Sequence, residues 1–113
     1  MKINDAIARA DELRLNTISD EQKYTWVYEF ECAVREMMGL ESERKNFPEN
    51  LELLMPSEHG DLYVKYLAAK IDYYNGETAL YANDQAIFED AWADARAWWI
   101  RTHGARNHGN WIV

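Results

Sequence analysis

Residues 57–103, SEHGDLYVKYLAAKIDYYNGETALYANDQAIFEDAWADARAWWIRTH, decide the fold. Apolar residues recur at steps of three and four on both sides of Asn75-Gly76-Glu77, which is the spacing of amphipathic helices. We predict one helix over 57–75, with Ser57 as its N-cap and Gly76 as its stop, and a longer helix over roughly 78–102. Because the link between them is short, the two helices should run antiparallel.

Two further helices precede this pair. Residues 4–14 form a short amphipathic segment that Asn4 or Asp5 could cap. Ser19-Asp20-Glu21-Gln22 is a capping box, and it predicts a helix to about Met38 that ends at Gly39 in a left-handed conformation. The predicted inward faces of the four helices, in chain order, are Ile3, Ile7, Ala10 and Leu13 or Arg14; Trp26, Val27, Phe30, Val34 and Met37; Leu62, Tyr63, Tyr66, Leu67, Ile71 and Tyr74; and Tyr81, Ile87, Phe88, Ala91, Trp92, Ala95, Trp98, Trp99 and Thr102.

Residues 40–56 do not follow the helical pattern. They mix charges, two prolines and a brief Leu51/Leu53/Met55 alternation, which indicates a long, partly extended excursion, either a strand or a hairpin arm. The predicted fold class is therefore all-α: a small antiparallel bundle of about four helices with one long irregular loop. We divide the chain into a helical domain, 1–103, and a basic C-terminal tail, 104–113.

Composition excludes several classes of protein. The chain has 113 residues, of which 48% are hydrophobic, so it can form one domain with a core and is not a disordered chain. Its net charge of −8 argues against specific nucleic-acid binding, which needs clustered cations. A single cysteine, Cys32, excludes an intramolecular disulfide. The sequence predicts neither a membrane span nor a secretory leader, and we expect synthesis in a reducing cytoplasm.

Charge is segregated along the chain. Residues 1–94 contain all twenty acids and nine bases, whereas 95–113 contain three arginines and no acid. An acidic body with a short basic tail is typical of an interaction protein. The tail ends in Trp111-Ile112-Val113, an apolar terminus that needs a partner to cover it. We therefore predict partner-binding residues in the tail: Arg106, Trp111, Ile112 and Val113. The alternative is that the tail packs back over its own helices.

No pattern in the sequence predicts catalysis, a cofactor or a metal. The hydrolase, metalloprotease, P-loop and dinucleotide motifs are all missing. Cys32 lies mid-helix among apolar residues, where thiols are usually inert. We assign Glu89, Asp90 and Asp94 to a solvated helix face. The histidines His59, His103 and His108 lack the spacing of a metal site.

Aromatic residues are unusually frequent, with seven tyrosines and five tryptophans in so short a chain. An aromatic stripe can stack single-stranded bases, but that function also needs a basic groove, which the acidic body does not predict. We expect most of these rings in the core and some at an interface with another subunit, because aromatic residues are enriched at the centres of interfaces.

Much of the sequence resembles a known family. Most of residues 3–103 are similar to small prophage-encoded proteins of Gram-positive bacteria that are found among capsid and tail genes, and to head–tail connector (head-completion adaptor) proteins of long-tailed phages. The segments that carry the resemblance are 3–13, 19–23, 54–56, 61–67, 69–72, 75–77, Tyr81, Phe88 and 95–103.

The resemblance implies a non-enzymatic helical subunit without a cofactor. Such subunits assemble as a ring, commonly twelve-fold, beneath the portal protein, and they present a docking surface to the next neck or tail protein. The expected location is the virion neck, after synthesis in the host bacterial cytoplasm. In some relatives the C-terminal segment reaches into the portal, and 104–113 is the matching region here. The alternative function is a small dimeric prophage regulator or anti-repressor.

Overall fold

The computed structural model describes residues 1–40 and 49–104, and it confirms the all-α class. Four α-helices follow one another: α1 (Ile3–Leu13), α2 (Asp20–Met37), α3 (Asp61–Tyr74) and α4 (Thr78–Trp99). A short 3₁₀ turn, Ser57–His59, precedes α3, and a π-helical turn, Ile100–Gly104, follows α4. Among the helices of these described residues, none combines the length and the apolarity that crossing a bilayer requires.

Helices α3 and α4 form the predicted antiparallel pair. Ring contacts between them run from Tyr73–Tyr81, with centroids 5.3 Å apart, through Tyr66–Phe88 at 5.2 Å. His59, just before α3, continues the series against Trp98 at 5.1 Å. Along this series the residue numbers decrease in and before α3 and increase in α4, so the two helices run antiparallel.

Glycines end two of the helices as predicted. Gly39 and Gly76 have φ angles of 75° and 74°. Residues with a Cβ rarely adopt this left-handed region, so glycine is the natural residue at both positions. The Gly76 turn reverses the chain between α3 and α4 and thereby brings the last turn of α3 opposite the first turns of α4.

One predicted N-cap is confirmed and two are wrong. Ser19 caps α2, because its side chain accepts a hydrogen bond from the Gln22 N–H at 3.2 Å. Helix α1 begins after Lys2 without a side-chain cap, so neither Asn4 nor Asp5 caps it. Ser57 opens the 3₁₀ turn, in which the Gly60 N–H bonds the Ser57 carbonyl at 3.2 Å, and α3 starts only at Asp61.

The described part of the irregular loop, residues 49–56, lies across α1, α2 and α3; we call it the strap. Its Leu51, Leu53 and Met55 are buried, so the alternation seen in the sequence is real. Only an isolated antiparallel bridge, between Lys2 and Glu52, forms within the residues described, and no strand extends from it. This extended pairing with the strap determines where α1 begins, since the Ile3 N–H bonds the Leu51 carbonyl at 2.9 Å.

Phe30 lies at the centre of the aromatic core. Its ring stacks on Tyr66 at 4.8 Å and contacts Phe88 and Trp92 edge-on at 5.2 and 5.0 Å. Such pairs add about 0.5–1.5 kcal/mol each beyond the burial of their area. The aliphatic part of the core comes from α1, α2, the strap and α3: Ile3, Ile7, Val27, Val34, Leu53, Met55, Leu62, Leu67 and Ile71.

Three residues that we predicted to face inward, Tyr74, Ile87 and Thr102, are exposed, and of the alternatives Leu13 and Arg14 it is Leu13 that is exposed. Leu13 faces outward because the next residue, Arg14, takes the inward position at the end of α1. Tyr74 lies outside the core and contacts the half-buried Trp26 edge-on at 6.0 Å. Ile87 borders a shallow cavity together with Leu13. The surface of the bundle is accordingly more apolar than the helical periodicity suggested.

Candidate partner-binding site

An ion cluster joins α1, α3 and α4 at one end of the bundle. The guanidinium of Arg14 donates from Nε to Asp72 Oδ1 and Asp84 Oδ2, both at 3.1 Å, and from Nη2 to Asp84 Oδ2 at 2.5 Å. Asp72 and Asp84 are both buried. The antiparallel turn places these two carboxyl groups opposite each other, since one lies four residues before Gly76 and the other eight after it.

The cluster contains one cation for two buried carboxyl groups. Asp72 is 1% exposed, and its Oδ2 has no hydrogen-bond partner among the described residues. Burial, together with the neighbouring carboxyl group of Asp84, raises the pKa of Asp72 to about 7. Burial also disfavours ionised Asp84, but the proximity of Asp72 and the hydrogen bonds from Arg14 outweigh it and hold the pKa of Asp84 below its usual value. A bound proton or a second cation would balance the negative charge that Arg14 alone does not neutralise.

The connection after α1 is held against the α3–α4 turn. Asn75 donates from Nδ2 to the Leu15 carbonyl at 3.1 Å, and Asn16 Nδ2 bonds the Arg14 carbonyl at 2.8 Å. We call this region the acidic end; it comprises residues 13–15, 72–78 and the first turns of α4 to Ile87. Because three separate stretches of chain meet here, its surface is a composite that no single helix could present.

A cavity of about 260 Å³ opens at the acidic end. Asp72 is its buried member, whereas Glu77 and Thr78 are exposed. The rings of Tyr73 and Tyr81 lie edge to face along it, with centroids 5.3 Å apart. The cavity therefore combines carboxylate groups with aromatic rings, a combination that suits a cationic ligand.

Large apolar side chains are exposed around the same end. Leu15 is 95% exposed, Tyr73 70% and Leu13 58%, and Leu80 and Ile87 are also exposed. Leu13 and Ile87 line a second, smaller cavity of about 100 Å³ beside Arg14 and Asp84. Single exposed apolar residues need no explanation, but several of them around one buried charge cluster make this end the candidate interaction surface.

The opposite end of α4 is aromatic and basic; we call residues 96–104 the basic end. The Trp99 and His103 rings stack at 3.7 Å, and Trp98 lies between His59 and His103. The guanidinium of Arg96 lies 5.2 Å from the centre of the Trp92 ring. The molecule therefore has an acidic end and a basic end, separated by the length of α4.

A second buried carboxyl, Glu31, is structural. It accepts hydrogen bonds from the Tyr63 hydroxyl at 2.6 Å and from the Leu54 N–H at 2.8 Å, and the Tyr63 oxygen in turn accepts from the Met55 N–H at 3.1 Å. Burial raises the pKa of Glu31, although these hydrogen bonds oppose that shift. All of these partners belong to the strap or to α3, so Glu31 anchors the strap to α2.

The predicted partner-binding residues Arg106, Trp111, Ile112 and Val113 lie outside the described residues. Of the weighed catalytic candidates, Cys32 is half-buried, and Glu89, Asp90 and Asp94 are exposed. Within residues 1–40 and 49–104, no group of three or more histidine, cysteine or acidic side chains is arranged to hold a metal ion. Sequence reasoning missed the Arg14 cluster, although two aspartates at opposing positions of an antiparallel helix pair were a usable signal.

Comparison of the chain with protein-family models, with curated proteins and with solved structures finds no match.

Proposed function

We propose that this chain is a structural subunit of a bacteriophage or prophage neck, a head–tail connector that assembles as a ring on the portal protein and joins capsid to tail. In this proposal the subunit is made in the host bacterial cytoplasm, resides in the virion neck, and needs no cofactor or catalytic residue. The support is the resemblance of residues 3–103 together with a surface suited to assembly.

The observation that carries the proposal is the exposed apolar group at the acidic end. Leu13, Leu15 and Tyr73 expose more than half of their side chains around the Arg14 cluster. Covering such side chains is favourable by roughly 25 cal/mol per Å² of apolar surface. A subunit that acts within an assembly is stabilised by this free energy when a neighbouring subunit or the portal covers the surface.

The charge of the chain suits a channel for DNA. Each copy carries −8, so a twelve-membered ring would carry −96, twelve times that value. A net negative field repels phosphate, so DNA would pass through the ring without adhering to it. For the same reason we propose no specific nucleic-acid binding by the subunit.

Electron microscopy of the full chain mixed with its own phage's portal protein tests the function. We expect a ring of additional density on the portal. A matched pair of variants sharpens the test: Leu15→Asp places a charge on the acidic end and should prevent binding, whereas Ala93→Asp, on an exposed part of α4, should not.

The competing function is a small dimeric prophage regulator. Absence of the chain from purified particles, with expression confined to early infection and a two-fold symmetric dimer in solution, would support the regulator and overturn the connector.

A further inference from the structure

We propose that the cavity at the α3–α4 turn is a guanidinium-binding site, and that its occupant is Arg106 of a second copy of this chain. The inference rests on the proposed function in one respect: both require copies of the chain to assemble. It goes further because it names the contact and the two ends that meet.

The cavity has the chemistry of an arginine site. Asp72 supplies a carboxyl group that is 1% exposed and has an oxygen without a hydrogen-bond partner among the residues described. Glu77 supplies a second, solvent-exposed carboxylate at the rim, and Tyr73 and Tyr81 supply two ring faces. A planar guanidinium can bind carboxylates through its forked N–H groups and stack on aromatic rings, which a compact ammonium does less well.

The charges favour a further cation. Arg14 is shared by Asp72 and Asp84, and Glu77 adds a third carboxylate nearby. A second guanidinium beside Asp72 would relieve this excess of negative charge. The part of the chain richest in unopposed positive charge is 95–113, with three arginines and no acid.

Geometry excludes the same copy as the donor. Helix α4 begins at Thr78 beside the cavity and ends at Trp99, a distance of roughly 32 Å at 1.5 Å per residue. The helical turn Ile100–Gly104 carries the chain onward. Arg106 is only two positions beyond Gly104, and two residues of chain span at most ~7 Å. Arg106 therefore cannot return to the cavity of its own copy.

Arg106 is the arginine best placed to enter a neighbour. Arg96 already lies over the Trp92 ring, and Arg101 belongs to the last helical turn. Arg106 follows the end of that turn, so it can extend past the basic end. A contact between the basic end of one copy and the acidic end of the next is heterologous. Such a contact forms a ring where its rotation closes, as the proposed connector requires, and an open filament where it does not.

Nuclear magnetic resonance of the ¹⁵N-labelled full chain tests this contact. The probe is a synthetic peptide of residues 101–113, RTHGARNHGNWIV. We expect its addition to shift the amide signals of residues 72–78 and Tyr81. An Arg106→Gln peptide should bind at least about tenfold more weakly, because glutamine is uncharged and lacks the forked N–H donors of the guanidinium. An Arg101→Gln peptide is the matched control and should bind like the parent.

The protein side has its own matched pair. Glu77→Gln in the protein should weaken binding of the parent peptide by a similar factor. Glu89→Gln, at an exposed acid further along α4, should leave the binding unchanged. Both positions are exposed, so both variants should fold. The inference is wrong if millimolar peptide shifts no signals, if the shifts cluster elsewhere, such as around Leu13 and Ile87, or if the Arg106→Gln peptide binds unchanged.

Failure of this inference is distinguishable from failure of the proposed function. If Glu77→Gln and Arg106→Gln chains still form complete rings on the portal, the contact is wrong and the connector stands. If the peptide binds as expected but the chain never binds a portal protein or enters particles, the contact stands and the connector is wrong.

Discussion

Arg14 and Asp72 are 58 residues apart in the sequence, yet the guanidinium Nε of one lies 3.1 Å from the carboxyl Oδ1 of the other. The pair joins the end of α1 to the last turn of α3, and Asp84 extends it to α4. Three helices are thereby held together at the end of the molecule to which we assign partner binding.

Replacing Arg14 with alanine should destabilise the fold strongly. It leaves two buried carboxyl groups without their cation, and breaking a buried pair in this way costs about 3–5 kcal/mol. Arg9→Ala is the control, since Arg9 and Asp61 are exposed and 3.8 Å apart, and such surface pairs contribute about 0–1 kcal/mol. Urea unfolding at pH 7 measures both. A loss below about 1 kcal/mol for Arg14→Ala, within the range of the surface control, would contradict the role assigned to the cluster.

Stability should depend on pH through Asp72. Its pKa of about 7 in the folded protein lies above the usual value near 4, so the folded state binds the extra proton between these limits. The stabilisation that the raised pKa of Asp72 provides is complete below pH 4 and is lost as the pH rises to 7. Over this range the free energy of unfolding falls by at most about 1.4 kcal/mol per pH unit for one proton. The raised pKa of Glu31 acts with the same sign.

The variant Asp72→Asn isolates the contribution of Asp72, because an amide does not titrate. The free energy of unfolding, measured from pH 4 to 8, should fall less steeply with pH in Asp72→Asn than in the parent. Equal slopes for the two proteins would show that Asp72 is ionised throughout this range and that the cluster needs no proton.

The Tyr63 hydroxyl should be worth about 1–3 kcal/mol, the penalty for leaving buried polar groups unpaired. Tyr63→Phe removes the donor to Glu31 and the acceptor of the Met55 N–H. Tyr73→Phe is the matched control, because Tyr73 is 70% exposed and substitutions of exposed side chains usually change stability by less than about 0.5 kcal/mol. Similar denaturation midpoints for the two variants would mean that the strap is held in another way.

Phe88 should matter more to stability than Trp92. Phe88 is 7% exposed and contacts Phe30 and Tyr66, so Phe88→Ala should cost ~3–5 kcal/mol. Trp92 is only half-buried, and Trp92→Ala should cost less. The sequence alone predicted that both rings face inward and did not distinguish them. Denaturant unfolding compares them, and the reverse order would place Phe88 outside the core.

Deleting residues 105–113 should separate assembly from folding. We expect the truncated chain to melt almost unchanged, because the four helices and the strap already build a core from residues within 1–40 and 49–104. It should no longer bind the portal or the next neck protein. A fall in melting temperature of several degrees with binding retained would show instead that the tail packs on its own helices. Thermal unfolding followed by circular dichroism and a portal pull-down measure the two effects.

Local chemistry allowed much of the fold to be predicted. The Ser19 cap and the Gly39 and Gly76 stops depend on residues within one helical turn, so a short window of sequence contains the information. The start of α1 at Ile3, just after Lys2, could not be predicted in this way. It depends on pairing with Glu52, fifty residues later in the chain.

The candidate site divides in the same manner. Asp72 and Asp84 flank a recognisable turn, and their opposition follows from helix pairing alone. Arg14 comes from another helix, and its inward orientation depends on how α1 packs against α3. That same packing exposes Leu13 and so decides between Leu13 and Arg14, which helical periodicity alone had left open. Periodicity identifies a face of a helix, but the neighbouring elements decide where that face ends.

The long sequence separation within the Arg14 cluster also orders events during synthesis. Asp84 is added 70 residues after Arg14, so a growing chain has α1 long before it has both carboxyl partners. Contacts between distant residues close slowly, because loop-closure entropy is lost before they form. The α3–α4 hairpin, whose contacts are local, can therefore form first and receive α1 afterwards. Completion of the acidic end then coincides with completion of the fold, and a nascent subunit offers no finished surface to a neighbour before its own helices are in place.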